Sequence, residues 1–203
     1  LLKSYGIISA TDAAAVAEAL EEVARRFPDQ KLRVCEIGIC HGDTSRGIAQ
    51  HLQDLGREFE YWGVDNDRDG AAGAICAKQP PFPGANVVQG ESEYVYMHVP
   101  APLQFLFVDG GHDITHVMLD ALHYGDKVEK GGLMLFHDVS PAAQNKMDWQ
   151  GSGPKDHVDF GTATREALRK LGLFPELRSD WRLVKMAIDE SLNWGGIAVF
   201  EKL

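Results

Sequence analysis

The chain has 203 residues, 44% hydrophobic and 25% charged, with 21 Gly and 9 Pro. That is enough for one domain with a sizeable core, and it excludes extended disorder and collagen-like repetition. Twenty Lys and Arg against thirty Asp and Glu give a formal charge of -10, the wrong sign for a protein that grips phosphate backbones, so no nucleic-acid partner is expected.

The start, Leu1-Leu2-Lys3, has no initiator Met and no basic-then-apolar signal pattern, and an upstream segment is left open. Residues 11–26 place Ala14, Val16, Ala17, Leu20, Val23 and Ala24 near helical spacing, with Thr11 or Asp12 as N-cap and Pro28 beyond the end. This is a leading helix within residues 1–30. Short apolar runs then follow at 32–37, 61–64, 86–88, 103–108 and 132–136, separated by helical periodicity at 44–55, 68–78 and 114–128. Such alternation predicts a doubly wound, Rossmann-like α/β fold whose parallel sheet is covered on both faces, with ligands beyond the carboxyl ends of the strands. The longest apolar runs, 103–108 and 133–136, fall far short of the roughly 20 residues that span a bilayer, so no membrane partner is expected.

From 138 to 160 the pattern breaks into a polar stretch with Pro141, Gly151, Gly153 and Pro154, read as a substrate loop or lid. A helix at 162–171 ends at Gly172, and strands at 181–188 and 196–202, joined tightly through Asn193-Trp194-Gly195, read as a closing antiparallel hairpin. No repeat divides the chain, so residues 1–203 are expected to form a single domain. Cys35, Cys40 and Cys76 match no Cys-x-x-Cys spacing, which suits reduced thiols in a cytoplasm, with Cys35 in the core.

The first strand runs into Glu36-Ile37-Gly38-Ile39-Cys40-His41-Gly42-Asp43-Thr44-Ser45. A pyrophosphate loop of the G-x-G-x-x-G type needs glycine where Cys40 stands, and no P-loop Lys follows, so dinucleotides and nucleoside triphosphates are disfavoured. In the remaining E-x-G-x-x-x-G, Gly38 and Gly42 leave room for a smaller ligand and Glu36 offers a carboxylate to an ammonium group. The alternative is that the glycines merely permit a tight turn. Asp65, closing the second strand, suits the two hydroxyls of a ribose. The rival role, capping the next helix, falls better to Asp67.

Three blocks carry a family resemblance over about residues 32 to 140. They are Val34 to Gly42, Gly63 to Asp65, and Phe107-Val108-Asp109-Gly110-Gly111-His112 through Asp120 to Gly131-Gly132-Leu133-Met134-Leu135-Phe136-His137-Asp138. They resemble class I S-adenosylmethionine-dependent methyltransferases, in particular the small-molecule O-methyltransferases of catechol type and of macrolide and rhamnosyl sugar type. Many members read V-D-G-x-H-x-Y, V-x-x-D, G-G and H-D, and here Ile114 stands in place of the Tyr. The resemblance implies a seven-stranded, mostly parallel sheet with an antiparallel C-terminal hairpin. It also implies S-adenosylmethionine as cofactor, with Glu36, Gly38 and Gly42 at its methionine end, Asp65 at the ribose, Ser92 of Gly90-Glu91-Ser92 at the adenine, and Asp109 beside it. For Ser92 a turn capping a short helix is the alternative.

Metal-assisted relatives place a carboxylate after the fourth strand and adjacent ligands after the fifth, which implies Asp109, His137 and Asp138 as ligands to magnesium, manganese or another first-row ion. Such an ion chelates the acceptor and lowers its hydroxyl pKa. His137 stands where these relatives carry a carboxylate. His112 and His137 are both candidate general bases near neutral pH, and in the alternative one of them only hydrogen-bonds Asp109 or the loop. His41 is a weaker candidate. His51, His98, His116, His123 and His157 are read as surface or packing residues, and Trp149 and Trp194 as substrate stackers or covers for apolar surface. The expected function is methyl transfer to a hydroxyl of a small-molecule acceptor, a sugar or natural-product scaffold. Two rivals use the same residues: an iron(II) oxygenase with a 2-His-1-carboxylate triad, and a non-catalytic methyltransferase-like binding protein. Homo-oligomerisation is left open.

Overall fold

The computed structural model describes residues 8–66, 80–140, 160–174, 178–192 and 195–203. In chain order the elements are α1 (Ala10–Arg26), β1 (Leu32–Ile37), α2 (Asp43–Asp54), β2 (Phe59–Asp65), β3 (Asn86–Gln89), the single-turn α3 (Ser92–Val95) and a 3₁₀ turn (Tyr96–His98). They continue with β4 (Leu103–Val108), α4 (Ile114–Gly125), β5 (Val128–Phe136), α5 (Phe160–Lys170), β6 (Trp181–Ala187) and β7 (Ile197–Lys202). The described strands form one seven-stranded sheet in the order β3-β2-β1-β4-β5-β7-β6. The first five are parallel, and β7 runs antiparallel to both β5 and β6. This is the doubly wound α/β arrangement expected from the alternating elements, with the switch point between β1 and β4.

Every residue of β4 is buried, which explains why 103–108 reads as an unbroken apolar run: successive side chains enter opposite cores. Phe105 and Phe107 pack with Val16, Leu20 and Val23 of α1 and with Ile48 and Leu52 of α2. Leu106 and Val108 pack on the other face with Val117, Ala121 and Tyr124 of α4 and with Ala167 and Leu168 of α5. Val16, Leu20 and Val23 are completely buried, and full burial contributes roughly 1.5–3 kcal/mol for each large aliphatic side chain.

Four sequence expectations need correcting. Helix α1 is capped by Ser9, not by Thr11 or Asp12: the Ser9 hydroxyl accepts from the Asp12 amide at 3.0 Å, and the Asp12 carboxylate accepts from the Ser9 amide at 3.2 Å. Helix α4 stops at Gly125 instead of 128, so that β5 begins at Val128, ahead of Gly131-Gly132. Strand β2 begins at Phe59, because Phe59 and Glu60 find partners in Leu32 and Arg33. The connection between β6 and β7 is not tight, since Ala187 faces Ile197 and the intervening segment is 188–196. The helix expected at 68–78 and most of the 138–160 loop lie outside the described residues, as do Asp67, Cys76, Trp149, His157 and Trp194. Among the described residues no helix is long and apolar enough to cross a membrane.

Candidate active site

Beyond β1 the chain turns through Gly38 (φ +86°), Cys40 (φ +50°) and Gly42 (φ +72°) into α2. A Cβ on Gly38 would lie 2.1 Å from the Asp109 carbonyl oxygen, so only glycine lets this loop run against the end of β4. Asp65, closing β2, turns Oδ2 onto the backbone amides of Ile39 and Cys40, each at 2.9 Å. The expected ribose residue is thus also the anchor that holds the glycine loop in place.

Glu36 is 1% exposed. The hydroxyls of Ser45 (2.6 Å) and Tyr61 donate to its Oε2, while Oε1 is buried without a hydrogen-bond partner. Burial pushes its carboxyl up to about 8, against the lowering effect of the two hydroxyls. Glu36 is thus an internal acid that ties β1, β2 and α2 together through Oε2 and leaves Oε1 without a partner.

Ser92 opens α3, and its hydroxyl donates to Asp120 Oδ1 while its carbonyl accepts from the Tyr124 hydroxyl at 3.0 Å. Burial raises Asp120 to about 7. The Ser92 hydroxyl expected at an adenine is instead engaged in fastening the turn after β3 to α4. Along the same turn the Asn66 amide donates to Glu91 Oε2 at 3.1 Å. Glu91, Glu93 and His116 form a second set of closely spaced donor atoms there, with His116 bonded to Asp113, the N-cap of α4.

Asp109 and the pair His137-Asp138 leave the ends of β4 and β5, where the ladder continues through Asp109 N to Ile37 O (2.9 Å) and His137 N to Val108 O (3.0 Å). His137 Nδ1 lies 3.0 Å from Asp109 Oδ1 and 3.5 Å from Asp138 Oδ1. His112 Nδ1 lies 3.3 Å from Asp138 Oδ2. On the other side of the His137 ring, Nε2 lies 3.3 Å from Oδ2 of the buried Asp12. Burial opposes charge on this imidazole, but Asp109, Asp12 and Asp138 outweigh it and hold its pKa well above the ordinary histidine value. Burial likewise acts to raise Asp138, and His137 and His112 reverse it, leaving the carboxyl below its usual range. The described non-glycine residues with positive φ are Cys40 and Asp138, so backbone strain concentrates at this site.

The two histidines expected as bases thus differ in kind. His137 is 5% exposed with carboxylates at both nitrogens, whereas the His112 side chain is 34% exposed on the rim. Asp109, His137 and Asp138 each offer one ligand atom, and these lie within 4.8 Å of one another. One imidazole with two carboxylates fits a divalent first-row ion that displaces the Nδ1 proton, and fits manganese, iron or zinc better than magnesium, which prefers oxygen alone. His112 is not in this set and instead pairs through Nδ1 with Asp138 Oδ2. Asp12 is the member that sequence reading missed. The spacing Ser9-x-x-Asp12 signals a capping box, but nothing local signals a contact across 125 residues.

No curated protein matches the sequence. Among solved structures, the chain is similar to the O-methyltransferase TomG of Streptomyces achromogenes, involved in tomaymycin synthesis and solved with S-adenosylmethionine. They share 16% identity with a TM-score of 0.62, over 97% of this chain and 81% of that one. It is similar to an O-methyltransferase of Bacillus cereus solved with S-adenosylhomocysteine, at 13% identity and TM-score 0.62 over 99% and 84%. It also resembles an rRNA methylase of Streptococcus thermophilus, at 11% identity and TM-score 0.58 over 95% and 94%. That spread of acceptors means the likeness establishes the fold alone. A family model for the methyltransferase domain matches residues 35–139, more than half of the chain and every strand end that builds the site. On that match the chain belongs to the methyltransferase domain family.

Proposed function

We propose that this protein transfers a methyl group from S-adenosylmethionine to a hydroxyl of a small molecule of sugar or natural-product type, assisted by a divalent ion. The observation that carries the reading is the meeting of Asp109, His137 and Asp138 beside a glycine loop at the carboxyl ends of β1, β4 and β5. The cofactors bound by TomG and by the Bacillus cereus enzyme support the choice of methyl donor. The free, buried thiol of Cys35 suits a cytoplasmic setting.

The donor supplies its methyl group as a sulfonium substituent, displaced in line by the acceptor oxygen with S-adenosylhomocysteine as leaving group. Gly38 and Gly42 let the loop run close past Asp109 and Pro81, so that its backbone would meet the methionine end; Asp65, which accepts from the Ile39 and Cys40 amides, would take the ribose, and Asp109 would face the acceptor side. Asp109, His137 and Asp138 would hold a divalent ion, which when bound would supply Lewis-acid polarisation that lowers the acceptor's hydroxyl pKa. His112, oriented through Nδ1 by Asp138 Oδ2 at 3.3 Å, takes the hydroxyl proton at Nε2. Much of the rate comes from holding oxygen and methyl in attack geometry.

S-adenosylmethionine at about 100 times its Kd is expected to stabilise the fold by about 2.7 kcal/mol, read as a higher melting temperature. S-adenosylhomocysteine should form when hydroxylated sugars and phenols are offered as acceptors with Mn²⁺ or Mg²⁺. No thermal shift together with a flat calorimetric titration overturns the methyltransferase reading. Full activity in EDTA overturns the metal and leaves His112 acting without it.

A further inference from the structure

We propose that Asp12 is a positioning residue for His137: its carboxylate accepts a hydrogen bond from Nε2–H and so fixes the ring with Nδ1 turned toward Asp109 and Asp138. The proposal deepens the metal reading of the same site, yet it can be tested apart from that reading.

Asp12 stands on the first turn of α1, far from β5 in sequence, and is fully buried. Its carboxylate has two backbone duties: Oδ1 accepts from the Gly196 amide at 3.0 Å and Oδ2 from the Ser9 amide at 3.2 Å. Neither requires a histidine, yet Oδ2 also lies 3.3 Å from His137 Nε2. The surrounding chain is shaped to seat this pair. A Cβ on Gly195 (φ +80°) would come within 2.7 Å of Asp12 Oδ2 and 3.7 Å of His137 Nε2. The Gly195 carbonyl in turn accepts from the Ser140 amide at 2.9 Å. The α1 N-terminus, the segment entering β7 and the end of β5 therefore meet at one carboxylate behind one imidazole.

A carboxylate behind an imidazole selects the tautomer and makes the opposite nitrogen a better ligand, and losing such a partner typically costs 10–100-fold in metal affinity. Here the opposite nitrogen is Nδ1, the atom 3.0 Å from Asp109 and 3.5 Å from Asp138. The rival account is that Asp12 only caps α1 and fastens residue 196. Asp12→Asn keeps the bond from Gly196 through its carbonyl but turns its amide toward both Nε2 and the Ser9 amide, so its effect is read against Ser9→Ala, which weakens the same capping box and leaves the carboxylate in place. The neutral His137 ring must then keep its proton on Nδ1, the nitrogen that a metal would need.

The test uses the full chain with ¹⁵N-labelled histidine, His137 being assigned by its absence in His137→Gln. In the native protein, taken to a pH at which the His137 ring has become neutral, long-range ¹H–¹⁵N correlation should find its remaining proton on Nε2. In Asp12→Asn the proton should sit on Nδ1, and the affinity for Mn²⁺, read by the EPR signal of the free ion, should fall 10–100-fold. Ser9→Ala, which removes the capping hydroxyl, should lower the melting temperature and leave both readings as they are. If Asp12→Asn does not fold, Gly195→Ala crowds the same carboxylate from the loop side and is read in the same two ways. An unchanged His137 tautomer in the variant, or an equal disturbance from Ser9→Ala, overturns the proposal and leaves Asp12 a cap. If the native protein binds no Mn²⁺, the metal reading fails, and the nitrogen shifts alone decide the role of Asp12.

Discussion

Glu36 keeps its proton near neutral pH because it is sealed in the core with one carboxyl oxygen unpartnered, and that has a consequence for stability. Its pKa rises from 4.5 in an ordinary setting to about 8 in the fold. Between those values the native state holds a proton that the unfolded chain has released, so this group's stabilising contribution is full below pH 4.5 and declines as pH rises to 8. The slope is up to about 1.4 kcal/mol per pH unit for each such group. Asp120 and His137, both raised, act in the same sense, so the informative quantity is a difference. Urea unfolding of the native chain and of Glu36→Gln at pH 5, 7 and 8 should show the variant gaining relative stability as pH rises. A constant difference would mean that Glu36 is ionised in the fold. That burial is not legible in the sequence, because Tyr61 and Ser45 close over this acid only once β1, β2 and α2 are assembled.

At the scale of elements, the glycine loop joins strand order to function, because Gly38 is where β1 passes the end of β4. Gly38→Ala would need a left-handed backbone, costing roughly 1–2 kcal/mol, and would also drive a methyl group into the Asp109 backbone at 2.1 Å. Gly56 (φ +66°), in the turn after α2, has nothing within 4 Å of where its Cβ would be. We expect Gly56→Ala to cost only the conformational part, with the cofactor's affinity unchanged. Gly38→Ala should cost clearly more and abolish cofactor binding by calorimetry, and equal effects at the two sites would mean that the loop yields freely. The elements themselves were readable, since β1 and β4 keep their expected bounds and α2 starts one residue early. The boundaries that moved did so for tertiary reasons: β2 lengthens because Leu32 and Arg33 offer partners to Phe59 and Glu60, and β7 meets β6 across a connection that turn chemistry alone described as tight.

Over the whole molecule, two apolar cores flank one sheet, and α1 serves both the core beneath it and the site at its N-terminus. These roles should separate. Leu20→Ala, at a completely buried position in the middle of α1, is expected to cost about 2–5 kcal/mol in urea unfolding. Its affinity for S-adenosylmethionine at saturating folded fraction should stay unchanged, because Asp12 keeps its backbone partners at Ser9 and Gly196. A large loss of cofactor affinity would instead show that the helix transmits core packing into the site.

The order of strands and helices, the glycine turn, and the acids and histidines closing β2, β4 and β5 were all present in local patterns. Side-chain period and turn chemistry act over a few residues, so a linear reading captures them. Which carboxylate stays at the rim of the sheet and which is sealed inside depended on the packing of strands with their helices, as the contrast between Asp109 and Glu36 shows. The sharpest case is His137: sequence offered it equally as base or ligand, and the fold placed a carboxylate from 125 residues away against its far nitrogen. Such a contact has no local signature. It arises only where the first helix, the fifth strand and the approach to the last strand close on one another, and there the cost of burying charge is offset by opposite charges on every side.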